Sequence, residues 1–282
     1  MSSPPTSTEF AYLRDWLEAA CAIHLNDGKA YLVHSRLEPI LDDLGCTSYT
    51  AFFQRHLQSA DAALHTRVID AMTTNETYWF RDDTPWLCFR DHLLPELVAR
   101  RHAERSRPLR IWCAASSTGQ EAYTIAMLVD AFCLASNRLR PSDVQIHASD
   151  ISPTALQQAK SGRYGAVEMR RGFEGSWLSF RSRYFEQDGE GARVRDEYRS
   201  RVTFFPFNLK DSPETLPQFD LIFMRNVAIY FSTEFKQALF ARLAGALHPQ
   251  GALVIGATES LYGVSKALRA EQIRGQTIYR PA

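Results

Sequence analysis

The sequence predicts an α/β fold that follows an all-helical region and is interrupted by a small antiparallel β-subdomain. Residues 10–74 show helical periodicity and no convincing strand. Beyond them, short apolar runs such as Ile111–Ala114 and Val144–Ala148 alternate with helical stretches, which is typical of a parallel sheet covered by helices. The alternation stops between residues 162 and 201, where short β-prone pieces are separated by turn residues.

The stretch Arg110–Tyr123 combines a strand, a turn of small residues and a helix. The turn contains Ser116, Ser117, Thr118 and Gly119, whose small side chains would let a ligand approach the backbone. The helix that follows presents an apolar face to the sheet and directs its N-terminus at the turn. Many α/β units that bind nothing open in the same way, so this stretch alone leaves the choice between a ligand site and a structural role open.

The second predicted strand, Val144–Ala148, leads into an acid, Asp150, about 30 residues beyond the first turn. An acid in this position holds ribose hydroxyls in doubly wound nucleotide-binding sheets, although a role in capping the helix that Pro153 opens stays possible. The first turn has a single glycine, Gly119, and lacks the glycine pattern that a pyrophosphate requires. S-adenosylmethionine has no phosphates, and its cationic methionyl end suits the acid Glu121.

The composition excludes a strongly charged partner. The 32 basic and 32 acidic residues of the 282-residue chain cancel, which argues against nucleic acid and against a membrane surface. The five cysteines are scattered without metal-ligand spacing, so we expect reduced thiols, no metal site and a cytoplasmic location. No stretch reaches the length of a membrane span, and residues 1–9 are expected to be a disordered head without a signal peptide.

These patterns divide the chain into a helical domain, a linker and an α/β domain. We expect the helical domain at residues 10–74, the linker at 75–84 and the α/β domain at 85–282. The β-subdomain is expected to be inserted at about 163–201. A further amphipathic helix is predicted over Pro85–Arg100.

The linker is unusual because it places Tyr78, Trp79 and Phe80 in a row, just before Arg81. A plain connecting segment seldom contains three adjacent aromatic residues. Two interpretations stay open. The segment contributes to a ligand site, or it is a hydrophobic plug between the domains.

The remaining elements follow from apolar runs and turn signals. Within the subdomain, Ser182–Phe185 and Ala192–Val194 are predicted as strands around the turn Asp188-Gly189. A helix is predicted after Ser232, and His248–Gly251 is predicted as a turn. The other predicted strands are Val202–Phe207, Phe219–Met224, Ala252–Ile255, Leu268–Ile273 and Thr277–Arg280, the last two as an antiparallel pair.

Several segments together resemble the CheR-type chemoreceptor glutamate methyltransferases. The resemblance spans almost the whole chain, from about Phe10 to Tyr279, with the motifs in the family's order. The segments that carry it are NETYWFR (Asn75–Arg81), ASSTGQEAYTIAM (Ala115–Met127), ASDIS (Ala148–Ser152), FNL (Phe207–Leu209), FMRNVAIYF (Phe223–Phe231) and GATES (Gly256–Ser260).

The resemblance implies a Rossmann-like class I methyltransferase domain that binds S-adenosylmethionine and releases S-adenosylhomocysteine. It also implies that the linker reaches over the cofactor, that Glu121 binds the methionyl amino group and that Asp150 binds the ribose. Arg81 and Tyr230 would be the catalytic residues. The implied cofactor-binding residues are Asn75, Thr77, Arg81, Ala115, Gly119, Glu121, Asp150, Asn208, Leu209, Asn226 and Val227.

The implied reaction is O-methylation of glutamate side chains, and it suits these residues. A glutamate with a pKa of about 4.3 is already an anion at neutral pH and needs no general base. The bidentate guanidinium of Arg81 can orient a carboxylate, with Tyr230 on the opposite wall. Alternatively, Arg81 forms a structural ion pair with Asp82 or Asp83, and Tyr230 belongs only to the core.

The resemblance also implies a partner, the cytoplasmic signalling domain of methyl-accepting chemoreceptors, bound by a monomeric enzyme. Two features depart from the family. Gln120 precedes Glu121 where the family commonly has two acids, and the predicted docking helix, Lys29–Leu44, contains three acidic residues as well as basic ones. An amino-group or nucleic-acid methyltransferase is disfavoured because no proline-rich polar tetrad follows Met224. A cofactor-binding sensor or scaffold without turnover stays open.

Overall fold

The computed structural model describes residues 3–104 and 107–282 of the chain. Its α-helices are α1 (Ser7–Cys21), α2 (Ala30–Asp43), α3 (Tyr49–Phe52), α4 (Ala62–Met72), α5 (Thr84–Cys88), α6 (Leu94–Glu104), α7 (Gln120–Ala135), α8 (Pro153–Ser161), α9 (Leu178–Tyr184), α10 (Asp196–Arg199) and α11 (Thr233–Ala246). Its strands are β1 (Leu109–Ala114), β2 (Val144–Asp150), β3 (Arg163–Tyr164), β4 (Phe185–Asp188), β5 (Gly191–Val194), β6 (Val202–Pro206), β7 (Phe219–Met224), β8 (Leu247–Ile255), β9 (Leu268–Ile273) and β10 (Gln276–Pro281).

Helices α1 to α4 precede the sheet and pack around an apolar core of their own, which includes Leu13, Leu37 and Val68. Helix α1 already begins at Ser7, because Thr6 and Glu9 form a reciprocal capping box. The expected disordered head through residue 9 is therefore wrong from Thr6 onward, and its first two residues lie outside the described chain.

The large sheet has seven strands in the order β6-β2-β1-β7-β8-β10-β9. The first five are parallel to their neighbours, and β10 runs antiparallel to both β8 and β9. Strand β7 is buried along its whole length because helices cover both faces of the sheet. The chain moves outward from β1 on one side and from β7 on the other, so the strand order reverses between these two strands.

The small sheet, in the order β3-β5-β4, is inserted between α8 and β6. The linker packs against this subdomain: Trp79 lies edge-on to Phe185 with ring centroids 4.9 Å apart, and Phe80 stacks on Trp177 at 4.5 Å. Both Trp79 and Phe80 are buried. These two aromatic residues are therefore buried structural side chains, but they pack in the core of the α/β domain and its β-subdomain, whereas the hydrophobic-plug interpretation placed them between the domains.

Two predicted elements are wrong. Residues 182–184 belong to helix α9 and not to a strand, because Trp177, Phe180 and Tyr184 have helical spacing and pack on one another in an aromatic cluster. The segment His248–Gly251 is not a separate turn before a strand. It is an irregularity inside β8, whose pairing with β7 jumps from Leu247 to Ala252.

Helix α5 continues through a π-helical turn, Phe89–Leu93, into α6, so the predicted helix over residues 85–100 is present as one helical run. No helix within residues 3–104 and 107–282 is both long and apolar enough to cross a membrane.

Candidate functional site

A cavity opens at the carboxyl edge of the large sheet, beside the point where β1 and β7 are neighbours. The helical domain, the linker and the loops after β1, β2, β6 and β7 enclose it. All of the predicted site residues except Gly119 line this cavity. They are Asn75, Thr77, Arg81, Ala115, Glu121, Asp150, Asn208, Leu209, Asn226, Val227 and Tyr230.

Asp150 ends β2 and is held by backbone groups. One carboxylate oxygen accepts the Ser117 N–H at 2.7 Å, and the other accepts the Ser152 N–H at 2.9 Å. Burial raises the pKa of the Asp150 carboxyl above its ordinary value, while these two N–H groups act against the rise. The residue that caps α8 is Ser152, through its own hydroxyl. Asp150 takes part in the turn before this helix by accepting the Ser152 N–H.

Gly119 does not line the cavity, although it was predicted as a cofactor-binding residue. Its φ of +96° is one that residues with a Cβ rarely adopt. A Cβ at this position would also lie 2.9 Å from the Cβ of Ala159 in α8. Glycine is therefore required here for the turn and for close packing of α7 on α8, and the approach of the cavity to the backbone occurs at Ala115–Ser117 instead.

Glu121 lies in the first turn of α7 and is paired with a buried cation that the sequence analysis did not select. The Arg225 guanidinium donates to Glu121 at 3.0 Å, to Asp82 at 2.9 Å and to the Arg81 carbonyl at 2.7 Å. Burial raises the pKa of the Glu121 carboxyl, and the charge of Arg225 is the largest influence that lowers it. Because Arg225 follows directly on β7, the same motif that gave Asn226 and Val227 could have drawn attention to it.

Arg81 is not paired with Asp82 or Asp83. Its guanidinium donates to the Glu76 carbonyl at 3.0 Å and lies 5.6 Å from the ring centre of Tyr78. Asp82 binds Arg225 instead, and Asp83 accepts a hydrogen bond from the Trp177 indole. Arg81 thus lines the cavity, and its guanidinium has no carboxylate partner among the described ion pairs.

The predicted site residues after β6 and β7 line the cavity and also make contacts that hold the fold together. The Asn208 side-chain amide donates to the Ala20 carbonyl at the end of α1 at 2.8 Å, so this side chain also ties the helical domain to the sheet. Asn226 has a left-handed backbone with φ of +59°, and its N–H donates to Glu259 at 2.8 Å. Tyr230 lines the cavity, and its backbone carbonyl accepts the His24 N–H.

Comparison with known families agrees with this architecture. The family described as "CheR methyltransferase, SAM binding domain" matches residues 75–277, and the family described as "CheR methyltransferase, all-alpha domain" matches residues 8–73. The chain belongs to the CheR methyltransferase family. As a member of this family it has S-adenosylmethionine as its cofactor.

The CheR relatives match over almost their whole length. Chemotaxis protein methyltransferase 1 of Pseudomonas aeruginosa is 40% identical, over 97% of this chain and 98% of that protein. Chemotaxis protein methyltransferase Cher2 of Pseudomonas putida is 38% identical, over 96% and 97%. A chemotaxis protein methyltransferase of Vibrio parahaemolyticus is 38% identical, over 96% of each chain.

The residues of this CheR cavity fit S-adenosylmethionine. Two acids, Asp150 and Glu121, are available for ribose hydroxyls and for a methionyl ammonium, and neither faces a glycine-rich phosphate cradle. Ile151 and Leu209 provide apolar surface for a base. The Ser116 hydroxyl is buried at the cavity without a hydrogen-bond partner in the described protein, so a polar donor or acceptor is available to a ligand.

The helical domain also contributes a wall that the sequence analysis missed. Cys21 and Ile23 at the end of α1, and Met72 at the end of α4, line the cavity. The contact is reinforced where Asp70 of α4 accepts hydrogen bonds from Ser152 and from Thr154, the latter at 2.6 Å. Apolar residues on a helix stripe are read as core, so the sequence carried no signal that this stripe continues into the cavity.

Proposed function

We propose that this CheR-family protein is an S-adenosylmethionine-dependent O-methyltransferase that converts glutamate side chains of chemoreceptors to methyl esters. The observation that carries the proposal is the single cavity that brings together two acids suited to the cofactor, Asp150 and Glu121, and an arginine suited to a carboxylate substrate, Arg81, while the other lining arginine, Arg225, is paired with Glu121 and Asp82. The names of the relatives, which are chemotaxis protein methyltransferases, support the same substrate class.

We assign cofactor binding to the residues of the sheet loops and of the linker. Asp150 accepts hydrogen bonds from the ribose, and Glu121 pairs with the methionyl ammonium. Leu209 and Val227 contact the adenine and the methionyl chain, and Asn75 and Thr77 cover the cofactor from the linker. When bound, S-adenosylmethionine supplies a methyl group on a sulfonium, which is already a strong electrophile.

The remaining task of the protein is alignment of the substrate. The glutamate carboxylate is already ionised at neutral pH, so no side chain has to remove a proton. Arg81 holds this carboxylate through its guanidinium, and Tyr230 limits its position from the opposite wall. A cation that bound the nucleophile too tightly would slow its attack, so we assign Arg81 a positioning contact and not strong binding.

Transfer of labelled methyl groups to purified receptor signalling domains tests the proposal. We expect base-labile label on the receptor, as for a carboxyl methyl ester, and loss of that label when the acceptor glutamates are changed to alanine. Calorimetry with S-adenosylhomocysteine is the parallel measurement. Binding of S-adenosylhomocysteine without transfer to any receptor in the panel would favour a sensor or scaffold and would contradict the enzymatic proposal.

We further propose that the protein acts as a monomer on the cytoplasmic signalling domain of its receptor. Sedimentation velocity at the concentrations of the transfer assay tests the monomeric state. Methyl transfer by a dimer, with no transfer by the monomer, would contradict the proposal.

A further inference from the structure

The side chain of Arg225 joins three separate parts of the molecule in one buried cluster. Its guanidinium is 1% exposed, and it reaches Glu121 on α7 and both Asp82 and the Arg81 carbonyl on the turn after the linker. It also lies 5.0 Å from the ring centre of Trp86. A buried guanidinium with this many acceptors fixes the relative position of everything it binds.

The turn that Arg225 binds has a strained backbone. Phe80, Asp82 and Asp83 all have positive φ, at 49°, 68° and 36°, although none is a glycine. Such conformations persist only where surrounding contacts hold them. The contacts here include the bonds from Arg225 to Arg81 and Asp82, a 2.8 Å hydrogen bond from the Trp86 indole to the Arg81 carbonyl, and the packing and hydrogen bond of Trp177 on Phe80 and Asp83.

The strained turn decides where the Arg81 side chain lies. Arg81 is the middle of the turn, and its own guanidinium makes one described hydrogen bond, to the Glu76 carbonyl. The placement of Arg81 at the cavity therefore depends largely on its backbone, whose carbonyl accepts hydrogen bonds from Arg225 and from the Trp86 indole. Loss of Arg225 would leave this carbonyl with the Trp86 indole as its donor, and we expect the turn to loosen and Arg81 to shift.

The other end of the cluster concerns the cofactor side of the cavity. Glu121 lines the cavity, and Arg225 is the cation that faces it within ion-pair distance. Arg81 and Glu259 act on the Glu121 carboxyl from farther away, the first favouring its charged form and the second opposing it. Loss of Arg225 would leave Glu121 buried without its strongest counter-charge, and a neutral Glu121 would bind a cation poorly.

We propose that Arg225 is a positioning residue that ties cofactor binding at Glu121 to the placement of Arg81. The proposal deepens the function proposed above and rests on it for the roles of Glu121 and Arg81. It assigns Arg225 two separable effects: a charged, oriented Glu121, and an anchored Arg81 turn.

Substitutions within the cluster separate the two effects. Arg225→Met removes both, whereas Asp82→Asn weakens only the attachment of the turn and Glu121→Gln changes only the cofactor side. Arg225→Lys keeps a positive charge near Glu121, but a single ammonium cannot reproduce the planar fork that bridges α7 and the turn. It should therefore preserve cofactor affinity better than the position of Arg81.

Arg280 offers a matched control because it forms a similar cluster away from the cavity. It is also buried, and it pairs with Glu96 at 2.8 Å, with Glu271 at 2.6 Å and with the Gln250 carbonyl at 3.2 Å. None of these four residues lines the cavity. Arg280→Met thus removes a buried arginine between two acids and leaves the cluster of Arg225, Glu121 and Asp82 intact.

Two measurements that need no receptor test the proposal. Calorimetry gives the Kd for S-adenosylhomocysteine, and the rate of trypsin cleavage after Arg81, at a temperature well below unfolding, reports release of the turn. For Arg225→Met we expect Kd to rise about 30-fold and cleavage to quicken about tenfold. Asp82→Asn should quicken cleavage, expressed relative to the same bond in the denaturant-unfolded variant because an acid after the cleaved arginine itself slows trypsin, with Kd within about threefold. Glu121→Gln should raise Kd with cleavage unchanged.

The kinetic counterpart is a lower kcat in Asp82→Asn with an unchanged KM for S-adenosylmethionine. Equal shifts of both readouts in Asp82→Asn and Glu121→Gln, or the same shifts in Arg280→Met, would overturn the proposal because they indicate general loosening. Wild-type values in Arg225→Met would overturn it as well. Absence of methyl transfer by the wild-type protein would instead count against the proposed function, since neither receptor-free readout depends on it.

Discussion

Two of the acids that line the cavity, Asp150 and Glu121, are held in different ways. Asp150 is fixed by backbone N–H groups, those of Ser117 and Ser152, at 2.7 and 2.9 Å. Glu121 is fixed by one side chain, the guanidinium of Arg225, at 3.0 Å. Burial raises the pKa of both carboxyls, and in each case these partners act in the opposite direction.

The difference predicts that the Asp150 side of the cavity is rigid and that the Glu121 side is more easily altered by substitution. The donors to Asp150 belong to the main chain of the turns after β1 and β2, so no single side-chain substitution nearby removes them. The donor to Glu121 can be removed by one substitution, and it also binds the turn that carries Arg81. The ribose side should therefore tolerate changes around it, whereas the methionyl side should respond to them.

The largest effect should come from Asp150→Ala. We expect the Kd for S-adenosylhomocysteine to rise about 100-fold, because a charge-assisted contact to the ligand is lost and two buried N–H groups lose their acceptor. Calorimetry measures the change. Asp220→Ala is the control, because Asp220 is also buried and accepts the Arg110 N–H at 2.9 Å but lies away from the cavity. A Kd within threefold of wild type in Asp150→Ala would refute the ribose role.

A smaller effect is expected for Glu121→Gln, which keeps the shape and removes the charge. The Kd for S-adenosylhomocysteine should rise about 10- to 30-fold, since an ion pair to an ammonium becomes a neutral hydrogen bond. Glu96→Gln makes the same change beside Arg280 and should leave the Kd unaltered. An unchanged Kd in Glu121→Gln would place the ammonium elsewhere and would remove the contrast between the two acids.

The pH dependence of binding should follow Glu121. Its ionised form binds the ammonium, and burial raises its pKa, so affinity is greatest where the carboxyl is ionised and is lost as the pH falls through that raised pKa. Between about pH 7.5 and about pH 5.5 we expect the wild-type Kd to rise, with Asp150, whose pKa burial also raises, contributing in the same direction in wild type and variant alike. Calorimetry across this range should give a flatter profile for Glu121→Gln. Parallel profiles for the two proteins would mean that another group controls binding.

The smallest effect on binding should come from Gly119→Ala. The added Cβ meets Ala159 in a backbone with positive φ, so we expect a loss of about 1–3 kcal/mol in the free energy of unfolding, with the Kd changed by less than about twofold. Gly189→Ala separates strain from collision, since Gly189 also has positive φ and has open space around it. Denaturant unfolding measures the first quantity. A tenfold higher Kd in Gly119→Ala would indicate that Gly119 belongs to the binding site after all.

Much of the site could be predicted from the sequence because it lies at strand ends. Asp150 and the small-residue turn follow apolar runs directly, and the carboxyl ends of parallel strands meet at one edge of a sheet. The linker was also predictable, since three adjacent aromatic residues beside an arginine are rare. In the structure the three aromatic residues have different surroundings. Trp79 and Phe80 are buried against the subdomain, and Tyr78 lines the cavity.

Other parts required the three-dimensional arrangement. Ser182–Tyr184 was assigned to a strand because a short β-prone run fits either period, and the packing of Tyr184 on Phe180 and Tyr198 favours the helix. Gly119 was assigned to the cofactor because small residues beside a strand suggest a ligand. The neighbouring atom that excludes a side chain there belongs to Ala159, in another helix.

By itself the sequence determined the order of helices and strands, the position of the acids and the chemistry that suits them, because these depend on periodicity and on residues adjacent in the chain. Only the tertiary structure decided which cation meets which acid. Arg225 lies 104 residues from Glu121 and 143 from Asp82, and no local pattern specifies such a contact. Whether a buried charge is paired depends on groups that folding brings together from distant segments, and that pairing links the Arg81 turn to the cofactor side of the cavity.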